Sequence, residues 1–145
     1  MLIQLLEKDE DAQVRSASAQ ALAAISRPKE QVVLALTQAL EEDTASSVRG
    51  SAALALSGFG AEEGVIPALV HALELEKNSG ARWSIVEGLG RIGPKAKEAV
   101  PALIRVLEGE ENEVVRWNAA RVLKTITGQD LDAAHWRAWW EEQQP

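Results

Sequence analysis

Cysteine is absent from the 145 residues, which excludes disulfides, a cysteine nucleophile, thiolate metal sites and thioether attachment of a cofactor. No apolar run approaches the roughly 18 residues that a membrane helix requires. No charged start leads into a signal-like apolar core either, so a soluble, cytoplasmic protein is the expectation. Basic residues are in deficit: 15 against 22 acidic ones give a net charge of −7, with −6 carried by residues 1–75 and −1 by residues 76–145. A chain of this sign has no general attraction to phosphate backbones or anionic lipid, so nucleic acid and membrane are not expected partners. Imidazole is scarce as well. His71 and His135 are the only candidate imidazole bases, and each reads as a half-exposed helix residue rather than a catalyst.

What the chain does have is a period. Arg15, Arg49, Arg82 and Arg116 fall 34, 33 and 34 residues apart, each nine residues after a leucine (Leu6, Leu40, Leu73, Leu107). A second leucine follows each arginine by seven residues, at Leu22, Leu56, Leu89 and Leu123, and Ile25, Phe59, Ile92 and Ile126 follow by ten. Self-similarity at this spacing means one supersecondary unit stacked along an axis. Within each unit the apolar spacing predicts two helices. Val65 to Leu73 and Val100 to Leu107 repeat at three and four residues and form first helices; the second helices start just before each arginine. Two rows of small or slim residues mark where neighbouring second helices come close: Ala19, Ala53, Val86 and Ala120, then Ala21, Ala55, Gly88 and Val122. Asp11, Asn78 and Asn112 are suited to cap these helices, with Ser46 or Thr44 in the second unit, and Gly60 and Gly93 are suited to end them. Beta structure has no obvious place.

Tetratricopeptide and ankyrin arrays share this period, but neither the Trp…Leu-Gly…Tyr spacing nor Thr-Pro-Leu-His occurs. The units instead read Pro-Ala-Leu…Leu followed by variations on Val-Arg-x-x-Ala-x-x-x-Leu-x-x-Ile-Gly, as in Val14-Arg15, Val48-Arg49, Ala81-Arg82 and Val115-Arg116. This pattern resembles the short bacterial HEAT-like repeats, including those of the phycobilin-lyase-like type, over essentially the whole chain. The resemblance implies an all-α, right-handed α-solenoid of about four two-helix repeats (1–26, 27–60, 61–93 and 94–127) in a single domain, closed by a C-terminal capping helix within 128–145. In the cap, Trp136, Trp139 and Trp140 share one helical face, suited to covering the last repeat's core. The first unit is short, beginning inside its first helix, and its open apolar end is expected to fray or to self-associate.

The arginine row reads as a structural ladder. Arg15, Arg49, Arg82 and Arg116 lie on the core side of their helices, and a cation near a helix N-terminus opposes the macrodipole, so each needs an acidic or carbonyl partner. Asp11, Asp43, Glu76 and Glu110 are the candidates. Function is sought on the face one, five and nine residues after each arginine, which in HEAT-like proteins lines the concave side. There Ser16, Gly50, Trp83 and Trp117 form one row, Gln20, Leu54, Glu87 and Arg121 the next, and Ala24, Gly58, Arg91 and Thr125 the third. Trp83 and Trp117 should be neighbours, with Glu87 and Arg121 one turn on, and these four are the candidate partner-binding residues. No catalytic, cofactor or metal residues are assigned. Deoxyhypusine hydroxylases carry His-Glu metal pairs at positions that here read Ser16-Ala17, Gly50-Ser51, Trp83-Ser84 and Trp117-Asn118, so that site is not expected. The expectation is a non-catalytic protein-binding scaffold. A phycobilin lyase or accessory subunit holding a tetrapyrrole is the alternative, and a nucleic-acid-binding HEAT-like protein is a remoter one.

Overall fold

A computed structural model describes residues 1–25 and 29–145; the boundary expected between the first two units lies outside the described residues. The elements run α1 (Leu2–Lys8), α2 (Ala12–Ala23), α3 (Lys29–Glu42), α4 (Ser46–Ser57), α5 (Val65–Leu75), α6 (Ser79–Ile92), a 3-10 segment (Gly93–Ala99), α7 (Val100–Gly109), α8 (Glu113–Thr127), a short 3-10 turn (Ala133–His135) and α9 (Trp136–Gln143). Among the described residues there is no strand. The chain is an all-α solenoid. Helices α2, α4, α6 and α8 stack side by side as one layer, while α1, α3, α5, α7 and α9 form a second, more loosely connected layer. Helices α1 to α8 pair as the sequence period requires, first with second.

The core lies between the layers, where the repeated leucines converge. Leu6, Leu40, Leu73 and Leu107 are all buried, as are Leu22, Leu56, Leu89 and Leu123. Burying each such side chain contributes about 2 kcal/mol before entropy is counted. The second-helix layer is tight because small residues let the backbones approach. A Cβ added at Gly50 would lie 3.0 Å from Ser84 Oγ, and one at Gly88 would lie 3.1 Å from the Ala53 carbonyl oxygen. Both rows of small residues behave as interfaces with one informative exception each. Ala21 is exposed and Ala120 half-exposed, because among the described residues no second helix packs on that side of α2 or on that side of α8.

Helix ends follow side-chain chemistry. Asp11 accepts from the Gln13 N–H, Asn78 from the Ala81 N–H, and Asn112 from the Val114 and Val115 N–H groups. Neither Thr44 nor Ser46 caps α4. Its N-cap is Ala45, which makes no side-chain cap bond, and Ser46 is already helical; Asp43 takes the Ala45 N–H instead, at 2.9 Å. Gly93 (φ +75°) ends α6 as expected, whereas α4 stops at Ser57, short of Gly60. Bonds from the Gly58, Phe59 and Gly60 N–H groups to the carbonyls three residues earlier tighten the chain into a turn before the positive φ of Gly60.

The ends differ. Helix α1 has only seven residues, with Leu2 and Ile3 half-buried and Met1 92% exposed. At the other end α9 packs against α7 and buries Trp136, whose ring meets Trp139 edge-on at 5.7 Å, while Trp139 and Trp140 are half-buried. Arg137 grips the Glu108 carboxylate with two hydrogen bonds and fixes α9 to the end of α7.

Candidate interaction surface

Three of the four arginines clamp one repeat to the next. Arg15 donates from Nε and Nη2 to both Asp43 oxygens at 2.7 and 2.9 Å. Arg49 does the same to Glu76 at 2.5 and 2.9 Å, and Arg82 Nε donates to Glu110 at 2.5 Å. The remaining Nη1 edge turns back on its own repeat. It reaches the carbonyls of Asp9 and Glu10 from Arg15, Asp43 and Thr44 from Arg49, and Leu73 and Glu76 from Arg82. Each acid is presented by its turn, because the same carboxylate accepts the N–H two residues on: Ala45 for Asp43, Asn78 for Glu76, Asn112 for Glu110. Asp11 is not a ladder partner. Its carboxylate faces along α2 as a cap, and the acid six residues before Arg15 is Asp9.

The environment sets the charges. For Asp43 burial pushes the carboxyl up, but the Arg15 hydrogen bond, the Ala45 N–H and the Arg15 and Arg49 charges outweigh it and leave the pKa below its ordinary value. The Arg49 hydrogen bond is the main reason that Glu76 is also depressed. In Glu110 burial is again overcome, by the Asn112 N–H and Arg82. All three are therefore held as carboxylates against guanidinium groups.

Position one after the arginine does not line an open face. Gly50 is buried against Ala81 and Ser84 of α6, and Trp83, half-buried and packed on the core, lies on the side of α6 that meets α8. This row looks toward the following second helix. Trp117 occupies the same register on α8, whose corresponding side no second helix covers among the described residues, and is 65% exposed. Among the described residues no aromatic pair joins it to Trp83; the paired tryptophans are those of α9. Val114, one turn before Trp117, is also exposed.

Glu87 and Arg121 do meet across α6 and α8. Arg121 Nη2 donates to Glu87, and Glu87 also lies 3.5 Å from Arg91 Nε. The residue that organises this cluster is Asn118, which sequence reasoning did not single out. It is fully buried, donates from Nδ2 to the Trp83 carbonyl at 3.3 Å, and accepts from Arg121 Nη2 and Nε at 2.7 and 3.2 Å. One signal was available: Ala17, Ser51, Ser84 and Asn118 share a register, and Asn118 alone carries both a donor and an acceptor on a side chain long enough to reach the neighbouring helix backbone; Ser51 only accepts from Gln20, at 3.4 Å. The outcome is a rigid charged patch, Glu87, Arg91 and Arg121, beside the exposed Trp117.

The histidines stay apart from it. His71 lies 3.5 Å from Glu41 and His135 3.8 Å from Asp132, both with largely exposed side chains. No helix among the described residues is long and apolar enough to cross a membrane. Comparison with known families matches the chain to the model for HEAT repeats over residues 1–90 and 66–138. No curated protein sequence matches it significantly.

Proposed function

Because the chain belongs to the HEAT-repeat family, we propose that it is a non-catalytic scaffold that binds a protein partner on the exposed surface of α6 and α8, around Trp117, Arg121, Glu87 and Arg91. HEAT repeats are generally protein-interaction scaffolds. The observation that carries the reading is Trp117, 65% exposed on a rigid helix next to an arginine already held by Asn118 and Glu87. Tryptophan and arginine are the residues most often found at interface hot spots, and an arginine held in place loses little freedom on binding. Trp83 has a different role here, as a half-buried spacer between α6 and α8.

Affinity capture with the full chain tests this. The double variant Trp117→Ala/Arg121→Ala should lose the partner that the parent captures while keeping the same melting temperature within a few degrees; equal capture by both sinks the assignment. A bilin titrated into the protein should keep its free absorbance spectrum, and an induced band would point instead to chromophore binding.

A further inference from the structure

The arginine ladder stops one rung short at α8. Arg116 is oriented like the others, with Nη1 donating to the Glu110 and Glu111 carbonyls at 2.6 and 3.1 Å, just as Arg15 Nη1 holds Asp9 and Glu10. Its Nε and Nη2 edge is the one that in Arg15 and Arg49 takes a carboxylate through two parallel bonds. For Arg116 the only acid nearby among the described residues is Glu113, at 3.8 Å with its side chain 89% exposed. The register position 34 residues beyond Glu110 is Gln144, whose amide turns to the Trp140 carbonyl. Beside this edge stand Trp117 and Ala120, the face that on α6 (Trp83 and Val86) is covered by α8.

We infer that the α8 end face is a docking site for a helix of a partner protein that carries an Asp or Glu in the turn just before it, the carboxylate seating on the Nε and Nη2 edge of Arg116 and a small-residue face covering Trp117 and Ala120. This rests on the scaffold reading above and names the partner's chemistry. The molecule supplies the template. Helix α8 docks on the tryptophan-bearing face of α6 in this way and delivers Glu110 to Arg82. Charge favours an acidic visitor at one point: Arg121 is already held by Glu87 and Lys124 by Asp130 at 2.7 Å, whereas Arg116 faces, among the described residues, only the exposed Glu113 at 3.8 Å. A second copy of this chain fits less well, although its Asp9 is held by the Asp11 N–H and has no arginine partner among the described residues. Docking it in register would bring its α1 into the first-helix layer beyond α7, where α9 already packs.

The probe is a labelled, end-capped peptide with the sequence of residues 108–127, titrated into the full chain by fluorescence anisotropy. Saturable binding is expected. Glu110→Gln in the peptide and Arg116→Gln in the protein should each weaken it by at least about tenfold, and the two together by little more than either alone, the signature of one direct pair. Binding indifferent to both changes, or no binding at millimolar peptide, overturns the inference. Binding lost with Trp117→Ala yet indifferent to Arg116→Gln keeps the scaffold surface and removes only the carboxylate seat. Self-association of the full chain in sedimentation, abolished by Asp9→Lys, would make a second copy the occupant and overturn the choice of a foreign helix.

Discussion

Arg49 and Glu76 stand 27 residues apart in sequence and face each other through two parallel hydrogen bonds of 2.5 and 2.9 Å, with side chains 21% and 6% exposed. The pair joins the α3–α4 turn to the α5–α6 turn, so one guanidinium holds two repeats in register. Removing it strands a mostly buried carboxylate and frees two carbonyls of its own turn. Arg49→Ala should therefore cost about 2–4 kcal/mol in urea unfolding. Arg116→Ala, which strands no carboxylate, should cost under about 1 kcal/mol. Equal losses would show that the ladder's stabilisation comes from the carbonyl contacts alone.

The same rungs set an acid limit. Asp43, Glu76 and Glu110 have folded-state pKa values below their ordinary ones, so the unfolded chain takes up protons first as pH falls. Their contribution is complete above the ordinary carboxylate range near about 4 and is lost as pH drops through the lower folded values. Melting temperature should hold between pH 7 and 5 and fall below about pH 4. Glu76→Gln should be less stable at pH 7 and show a shallower decline in acid; an unchanged slope would locate the acid sensitivity elsewhere.

Asn118 is fully buried and joins the Trp83 carbonyl to Arg121. Asn118→Ala leaves that carbonyl without its side-chain donor and frees the guanidinium, at a cost of about 1–3 kcal/mol. Arg121→Ala should cost less, since its side chain is 40% exposed and Glu87 keeps Arg91 nearby. Chemical denaturation of the two variants compares them directly. A larger loss for Arg121→Ala would reverse the assignment of Asn118 as the organiser.

Two glycines should respond in opposite directions. Gly88→Ala places a methyl 3.1 Å from the Ala53 carbonyl in the packed α4 backbone, which cannot withdraw without disturbing its helix. Net destabilisation of about 1 kcal/mol is expected even after the better helix propensity of alanine. Gly109 ends α7 with nothing within 4 Å of its added Cβ. There Gly→Ala should stabilise by about half a kcal/mol, through reduced freedom of the unfolded chain. Thermal melts of both variants settle the contrast.

The period of the arginines and leucines was enough to determine the two-helix unit, the buried leucine rows, the caps at Asp11, Asn78 and Asn112, and the inter-repeat pairing of Arg15, Arg49 and Arg82, though not that Arg116 would lack such a partner among the described residues. Each of these depends on spacing within one helix or between identical units, and a linear sequence carries both. It also brought Glu87 and Arg121 together, because equal register on adjacent helices is a one-dimensional fact. What it misjudged was coverage. Trp83 and Trp117 share a register, and sequence reasoning treated them as one outward pair. In the structure that position looks at the next second helix, so Trp83 lies half-buried beside α8 while Trp117 and the free edge of Arg116 stand open. Burial depends on whether a neighbour exists, which no residue encodes about itself. Only the stacking of helices turned four equivalent positions into three interior contacts and one exposed end.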